Sequence, residues 1–218
     1  MRTIIGGLLV SLLVIGSSSS GANELGQLEV LPLAPDHVGL TMKESPSLCW
    51  MLKGKPPDKA TMTFTLNDME HVQPILEVPL PGSFLIEKTE TCHCVNLRDY
   101  GIKLRPDTVY RWLLSMRKNP ESHSQDIVAG GMIARCEVTD CLIEIVHAFF
   151  VCDMESVKYL AKSGLWYDSV SCLCDLIKAN PTDPSLRRLL ASLMNDGGLR
   201  KIPGGLQKLK PEYLVPLK

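Results

Sequence analysis

The sequence predicts an α+β protein: an antiparallel β-sandwich over residues 28–138, then a small helical segment over residues 139–199. Three observations predict it. Thr61, Thr63 and Thr65 alternate with Met62, Phe64 and Leu66, the two-residue period of a half-buried strand. Pro, Gly, Asn and Asp divide the rest of this region into short stretches, giving seven to nine strands in about 110 residues. Beyond residue 139 the apolar residues recur at three and four positions, the period of an amphipathic helix.

The elements follow in order. Residues 1–22 have the pattern of an export signal. Arg2 gives a basic start, Ile4 to Ile15 is an apolar run, and Ser20 and Ala22 have the spacing a signal peptidase accepts. The run is shorter than the roughly 20 apolar residues a bilayer span needs. A mature chain beginning near Asn23 would have about 196 residues, enough for one good core or two small ones. Besides the alternating stretch at 61–66, strands are expected at 29–33, 39–42, 47–52, 75–80, 92–97, 109–116 and 127–137.

Four helical stripes come next. The first is Leu142, Ile145, Val146 and Phe149; the second is Met154, Val157, Leu160 and Ala161, with Asp153 as N-cap. The third is Trp166, Val170, Leu173, Cys174 and Ile177. The fourth is Leu186, Leu189, Leu190 and Leu193, with Asp183 as cap and Pro184 at the first helical position. Gly164 and Gly197 are stop signals. Residues 200–218 form a basic tail, with Arg200, Lys201, Lys208, Lys210 and Lys218 against Glu212. It is expected to be solvated; docking an acidic partner or lipid headgroups is the sharper alternative.

Several motifs carry resemblances. Leu104-Arg-Pro106-Asp-Thr108-Val-Tyr110-Arg-Trp112 resembles the start of strand F in fibronectin type III and immunoglobulin-like domains. The likeness implies that Tyr110 hydrogen-bonds back to the preceding corner, a structural role. The antibody-type Cys…Trp…Cys pattern is missing, since Trp112 stands two residues after Tyr110. Gly164, Trp166, Ser169, Leu173, Leu176 and Pro181 resemble one tetratricopeptide unit, and no second copy follows. One such hairpin cannot bury its own face, so the helices are expected to pack on the sandwich or on each other.

The chain as a whole resembles a bacterial exported family known only as domain of unknown function 928. The likeness runs from about Leu33 to Leu199. Its carriers are Gly39-Leu-Thr41, Glu44-Ser-Pro46-Ser-Leu-Cys49-Trp50, Leu76-Glu-Val-Pro-Leu-Pro-Gly82, Leu97-Arg-Asp-Tyr-Gly101 and Tyr110-Arg-Trp112. Further on come Asp126-Ile-Val-Ala-Gly-Gly131 leading into Ile133-Ala-Arg135, Gly164-Leu-Trp-Tyr-Asp168, and Asn180-Pro-Thr-Asp-Pro184. Met132 and Cys49 stand where an aromatic is expected. The resemblance implies export and one architecture, and supplies no activity, substrate or catalytic residue.

Cys92, His93 and Cys94 form the most chemical-looking triplet, because thiolates and imidazole bind zinc or copper(I) well. In an extended strand Cys92 and Cys94 point to one face and His93 to the other, so one ion could take all three only in a turn. Cys172 and Cys174 lie about 200° apart on a helix, with Cys174 on the apolar stripe. An oxidising compartment favours disulfides among the eight cysteines, and 105 pairings are open. Cys141 and Cys152 would sit about 16 Å apart along one helix, too far for a bond.

Other candidates have plainer readings. Asp140, Glu144 and His147 share a helix face and read as its polar side. Asp36-His37 lies in a Pro-bounded loop, with Asp36 as a turn former. Trp50, Trp112 and Trp166 are expected in the core, Trp112 and Trp166 with structural roles, rather than as a sugar-stacking row. The sequence offers no Gly-x-Ser-x-Gly, no phosphate-binding loop and no placeable Ser-His-Asp pattern. A net charge of −1 gives no field for nucleic acid.

The expected function is therefore that of an exported, non-catalytic interaction or scaffold protein, working in the periplasm or outside the cell. Its partner would be another envelope protein, with no cofactor, no nucleic acid and no membrane span. An envelope polysaccharide-binding module and a metal-binding or thiol-redox protein are the alternatives.

Overall fold

The computed structural model describes residues 28–86, 91–119, 126–137 and 150–195. The expected export signal, the expected first helical stripe with Asp140, Cys141, Glu144 and His147, Gly197 and the basic residues beyond 199 lie outside the described residues.

Among the described residues, eight strands form two sheets. The smaller has the order β1 (Glu29–Pro32), β3 (Ser47–Lys53), β6 (His93–Asn96). The larger has the order β2 (Val38–Thr41), β8 (Ile127–Arg135), β7 (Val109–Arg117), β4 (Thr61–Asp68), β5 (Leu76–Leu80). Three helices follow, α1 (Met154–Lys162), α2 (Trp166–Ala179) and α3 (Pro184–Asn195). The fold is mixed α+β, two sheets plus helices.

The alternation of β4 places Met62, Phe64 and Leu66 inward. They face Met116, Leu114 and Trp112 on β7, and the Phe64 and Trp112 rings stack with centroids 6.4 Å apart. Pro79 is tolerated because β5 is an edge strand, where a missing N–H breaks no inner ladder. The expectation of purely antiparallel pairing needs one correction: β2 runs parallel to β8, with Val38 opposite Met132 and Thr41 opposite Arg135. A parallel neighbour needs a long connection, and here the intervening chain supplies five other strands of the two sheets before it reaches β8.

Local signals account for the helix ends. The Asp153 carboxylate accepts the Ser156 amide at 2.7 Å and caps α1. Gly164, at φ 80°, takes the left-handed turn between α1 and α2. Asp183 accepts both the amide and the hydroxyl of Ser185, at 2.8 and 2.6 Å, at the start of α3. Helix α2 is buried on nearly every side, with Tyr167, Val170, Leu173 and Cys174 all inside. One hydrophobic cluster runs through both sheets, α1, α2 and α3.

At the start of β7, Tyr110 is buried and its hydroxyl accepts the Arg105 amide at 2.9 Å. Tyr110→Phe should cost about 1 kcal/mol, the net worth of such a bond. Urea unfolding measures it, and an unchanged midpoint would show that the hydroxyl contributes nothing.

Candidate functional site

Three consecutive side chains at the start of α2 tie the helix to the sheets. The Trp166 indole N–H donates to the Leu33 carbonyl, just past β1, at 3.0 Å. The Tyr167 hydroxyl accepts from the Trp112 indole N–H at 2.9 Å and donates to the Met132 carbonyl at 3.0 Å. The Asp168 carboxylate accepts the Thr41 hydroxyl at 3.0 Å and the Met42 amide at 2.8 Å. Glycines make room for this. A methyl on Gly39 would sit 2.7 Å from the Tyr167 ring, and one on Gly131 would sit 3.0 Å from its hydroxyl. The motifs at 39–41, 126–131 and 164–168 thus meet around Tyr167, where their chemistry is packing and hydrogen bonding.

Burial raises the Tyr167 phenol and keeps it neutral. Burial likewise pushes the Asp168 carboxyl up to about 6, against the Met42 and Thr41 bonds and the nearby Lys43 charge, which lower it. The carboxyl of an unfolded chain titrates near pH 4. Between about pH 4 and pH 6 the unfolded chain has released this proton and the folded one still holds it. Asp168 therefore lowers stability as pH rises through that window, by about 3 kcal/mol in full. Asp168→Asn keeps an acceptor for Met42 and offers a donor to Thr41, without the titration. The variant should gain on the parent between about pH 4 and pH 7. Parallel pH–urea curves for the two proteins would refute this.

A second cluster is made of sulfur. Cys49 on β3 lies directly opposite Cys94 on β6, and the two form a disulfide with Cα atoms 4.1 Å apart. Cys174 of α2 points at this bond, and the sulfurs of Cys49, Cys94 and Cys174 all lie within 4.8 Å of one another. Cys92 neighbours Cys174, and each thiol sets the titration of the other. Cys174 lowers the Cys92 thiol, against burial, with Lys178 and Arg187 adding to it; Cys92, with burial, raises Cys174. The Lys178 ammonium donates to the Cys94 sulfur at 3.8 Å. A second disulfide, Cys152–Cys172, lies on the other side of α2. Cys136 stands apart, its thiol pushed up to about 11 by burial.

The triplet expected from sequence does not converge on one point. The Cys94 sulfur is bonded to Cys49, and the buried His93 ring stacks on Trp50 at 5.8 Å and meets Phe84 edge-on at 5.6 Å. Asp36 and His37 pair with each other at 2.9 Å in the loop between β1 and β2. Trp50, Trp112 and Trp166 are all buried, so they form no stacking row at the surface.

Beside the sulfur cluster runs an apolar groove of about 500 Å³. Leu31 and Met51, paired across β1 and β3, form one wall. Ile177 of α2 and Leu190 and Met194 of α3 form the other, with Arg187 at the rim. Sequence reading missed this groove, because helix stripes show which residues turn inward and not where two layers fail to close.

The described residues define a disulfide-bonded α+β protein with a buried sulfur cluster and an adjoining apolar groove. No helix among them is long and apolar enough to cross a membrane. The chain belongs to the family described as Domain of Unknown Function (DUF928), whose model matches residues 16–204. No curated protein matches the chain.

Proposed function

We propose that the protein is an exported binding protein that holds an extended apolar segment of another envelope protein. The groove between α3 and the β1–β3 face carries this reading. It is apolar and bounded by an edge strand, which suits an extended chain. Arg187 at its rim suits an occupant that brings a carboxylate. The chain's own tail is basic beyond residue 199, and so is a poor complement to that rim.

Export and a periplasmic or extracellular location are supported by the signal-like residues 1–22 and by the two disulfides. The bond from Arg105 to Tyr110 supports an immunoglobulin- or fibronectin-like sandwich over residues 28–138. The short turn between α1 and α2 supports a tetratricopeptide-like hairpin packed on it.

N-terminal sequencing of the mature protein should begin near Asn23, and an intact Met1 on cytoplasmic protein would end the export reading. The binding test places a photo-crosslinking residue at Ala191, which lines the groove and is exposed. Peptide mapping should then identify a segment of an exported protein with apolar residues and an acidic side chain or chain end. That segment, synthesised, should bind the parent and bind Leu31→Asp about tenfold more weakly or worse. Crosslinks to residues 196–218 or to lipid, or equal binding by Leu31→Asp, would overturn the proposal.

A further inference from the structure

The two buried thiols beside the Cys49–Cys94 disulfide have no part in holding a peptide. We propose that Cys92, Cys174, Cys49 and Cys94 form a thiol–disulfide relay that carries two electrons from the buried thiol pair to Cys94, where an external disulfide is reduced.

Four observations carry the proposal. Cys174 lies within 4.8 Å of both sulfurs of the bond it would attack. Cys92 neighbours Cys174, where its thiolate can take the attacking thiol's proton. Lys178 lies beside Cys94, the thiolate that would leave. Cys94 is half-buried while Cys49, Cys92 and Cys174 are buried, so the relay has one outlet. Cys152–Cys172 supplies the contrast: among the described residues no third sulfur joins it in a comparable group.

The steps balance without an added oxidant until the external disulfide enters. The relay starts with Cys92 as its thiolate, the form that Cys174, Lys178 and Arg187 favour; that thiolate takes the proton of Cys174 as the Cys174 sulfur attacks Cys49. The Cys49–Cys94 bond breaks, the Cys49–Cys174 bond forms, and Cys94 leaves as a thiolate beside Lys178. Cys92 then attacks Cys174. A Cys92–Cys174 disulfide forms, and Cys49 leaves with the proton that Cys92 gives up. Cys94 next attacks the external disulfide and releases one thiolate. Cys49 attacks the mixed bond at Cys94, restores Cys49–Cys94 and releases the second thiol. The buried pair is oxidised and the external disulfide reduced; an external dithiol reverses the cycle.

The test equilibrates the full chain in glutathione buffers of stepped ratio, quenches with acid, alkylates, and maps linked peptides by mass spectrometry. The parent should show Cys49–Cys174 and Cys92–Cys174 peptides besides Cys49–Cys94, with Cys152–Cys172 unchanged. Cys174→Ser should show neither new linkage and should reduce oxidised glutathione about tenfold more slowly. If circular dichroism shows that Cys174→Ser is unfolded, Cys92→Ser decides: it should retain Cys49–Cys174 and lack Cys92–Cys174. Cys49–Cys94 as the sole linkage of these four at every ratio would overturn the relay. So would equal rates for parent and variant, or stoichiometric Zn²⁺ held by all four reduced sulfurs, which would make the cluster a metal centre.

Discussion

Leu173→Ala should lower the unfolding free energy by about 2–5 kcal/mol. Leu173 is wholly buried on α2, and its hydrophobic cluster draws on both sheets and on α1, α2 and α3. Ala would remove three carbons and leave a cavity, because the surrounding strands are held by their ladders and cannot close in. One core also means one transition. Far-ultraviolet dichroism and tryptophan fluorescence should trace the same urea curve in parent and variant. Two separated transitions, with the loss confined to the helical one, would show that helices and sheets unfold independently.

Gly130→Ala should be worse, at about 4 kcal/mol or more, or should leave no folded protein. Gly130 lies opposite Leu113 in the β7–β8 pairing, and an added methyl would collide with the Trp112 carbonyl oxygen. That oxygen belongs to the neighbouring backbone, so the clash cannot be relieved by turning a side chain. Relief would require shifting β8 away from β7 in the centre of the larger sheet. Thermal and urea unfolding measure the loss, and a cost near that of an ordinary surface change would show that the strand yields. The neighbouring Gly131 makes a useful comparison, since its methyl would meet side chains of Ala34, Tyr167 and Trp112.

All eight strands are visible in the sequence because each alternates or is bounded by turn residues, and both features act locally. The helix starts are visible for the same reason: Asp153 and Asp183 sit next to the amides they satisfy. The division into sheets of three and five strands is not local, and neither is the parallel edge at β2. They depend on which strands meet once the chain has collapsed. The sulfur cluster was half legible. Cys92 and Cys94 stand out as a pair, and Cys174 falls on the apolar stripe. Cys49, in contrast, looks only like the substitute for an aromatic. What joins Cys49 to Cys94 is strand register, and what brings Cys174 over them is the rotation of α2 about its axis; neither leaves a mark in residue spacing.

The parallel edge strand sets an order of assembly. A chain that emerges N-terminus first delivers residues 38–41 early, yet their ladder partners are residues 132–135. The Met42 amide waits longer still, for Asp168. Contacts so distant along the chain make closure slow. Until they form, the edge of β2 offers its hydrogen bonds to any extended neighbour, including another copy of the chain. A chain cut short before Trp166 would keep that strand without the helix that locks it, and should aggregate when the full-length protein does not.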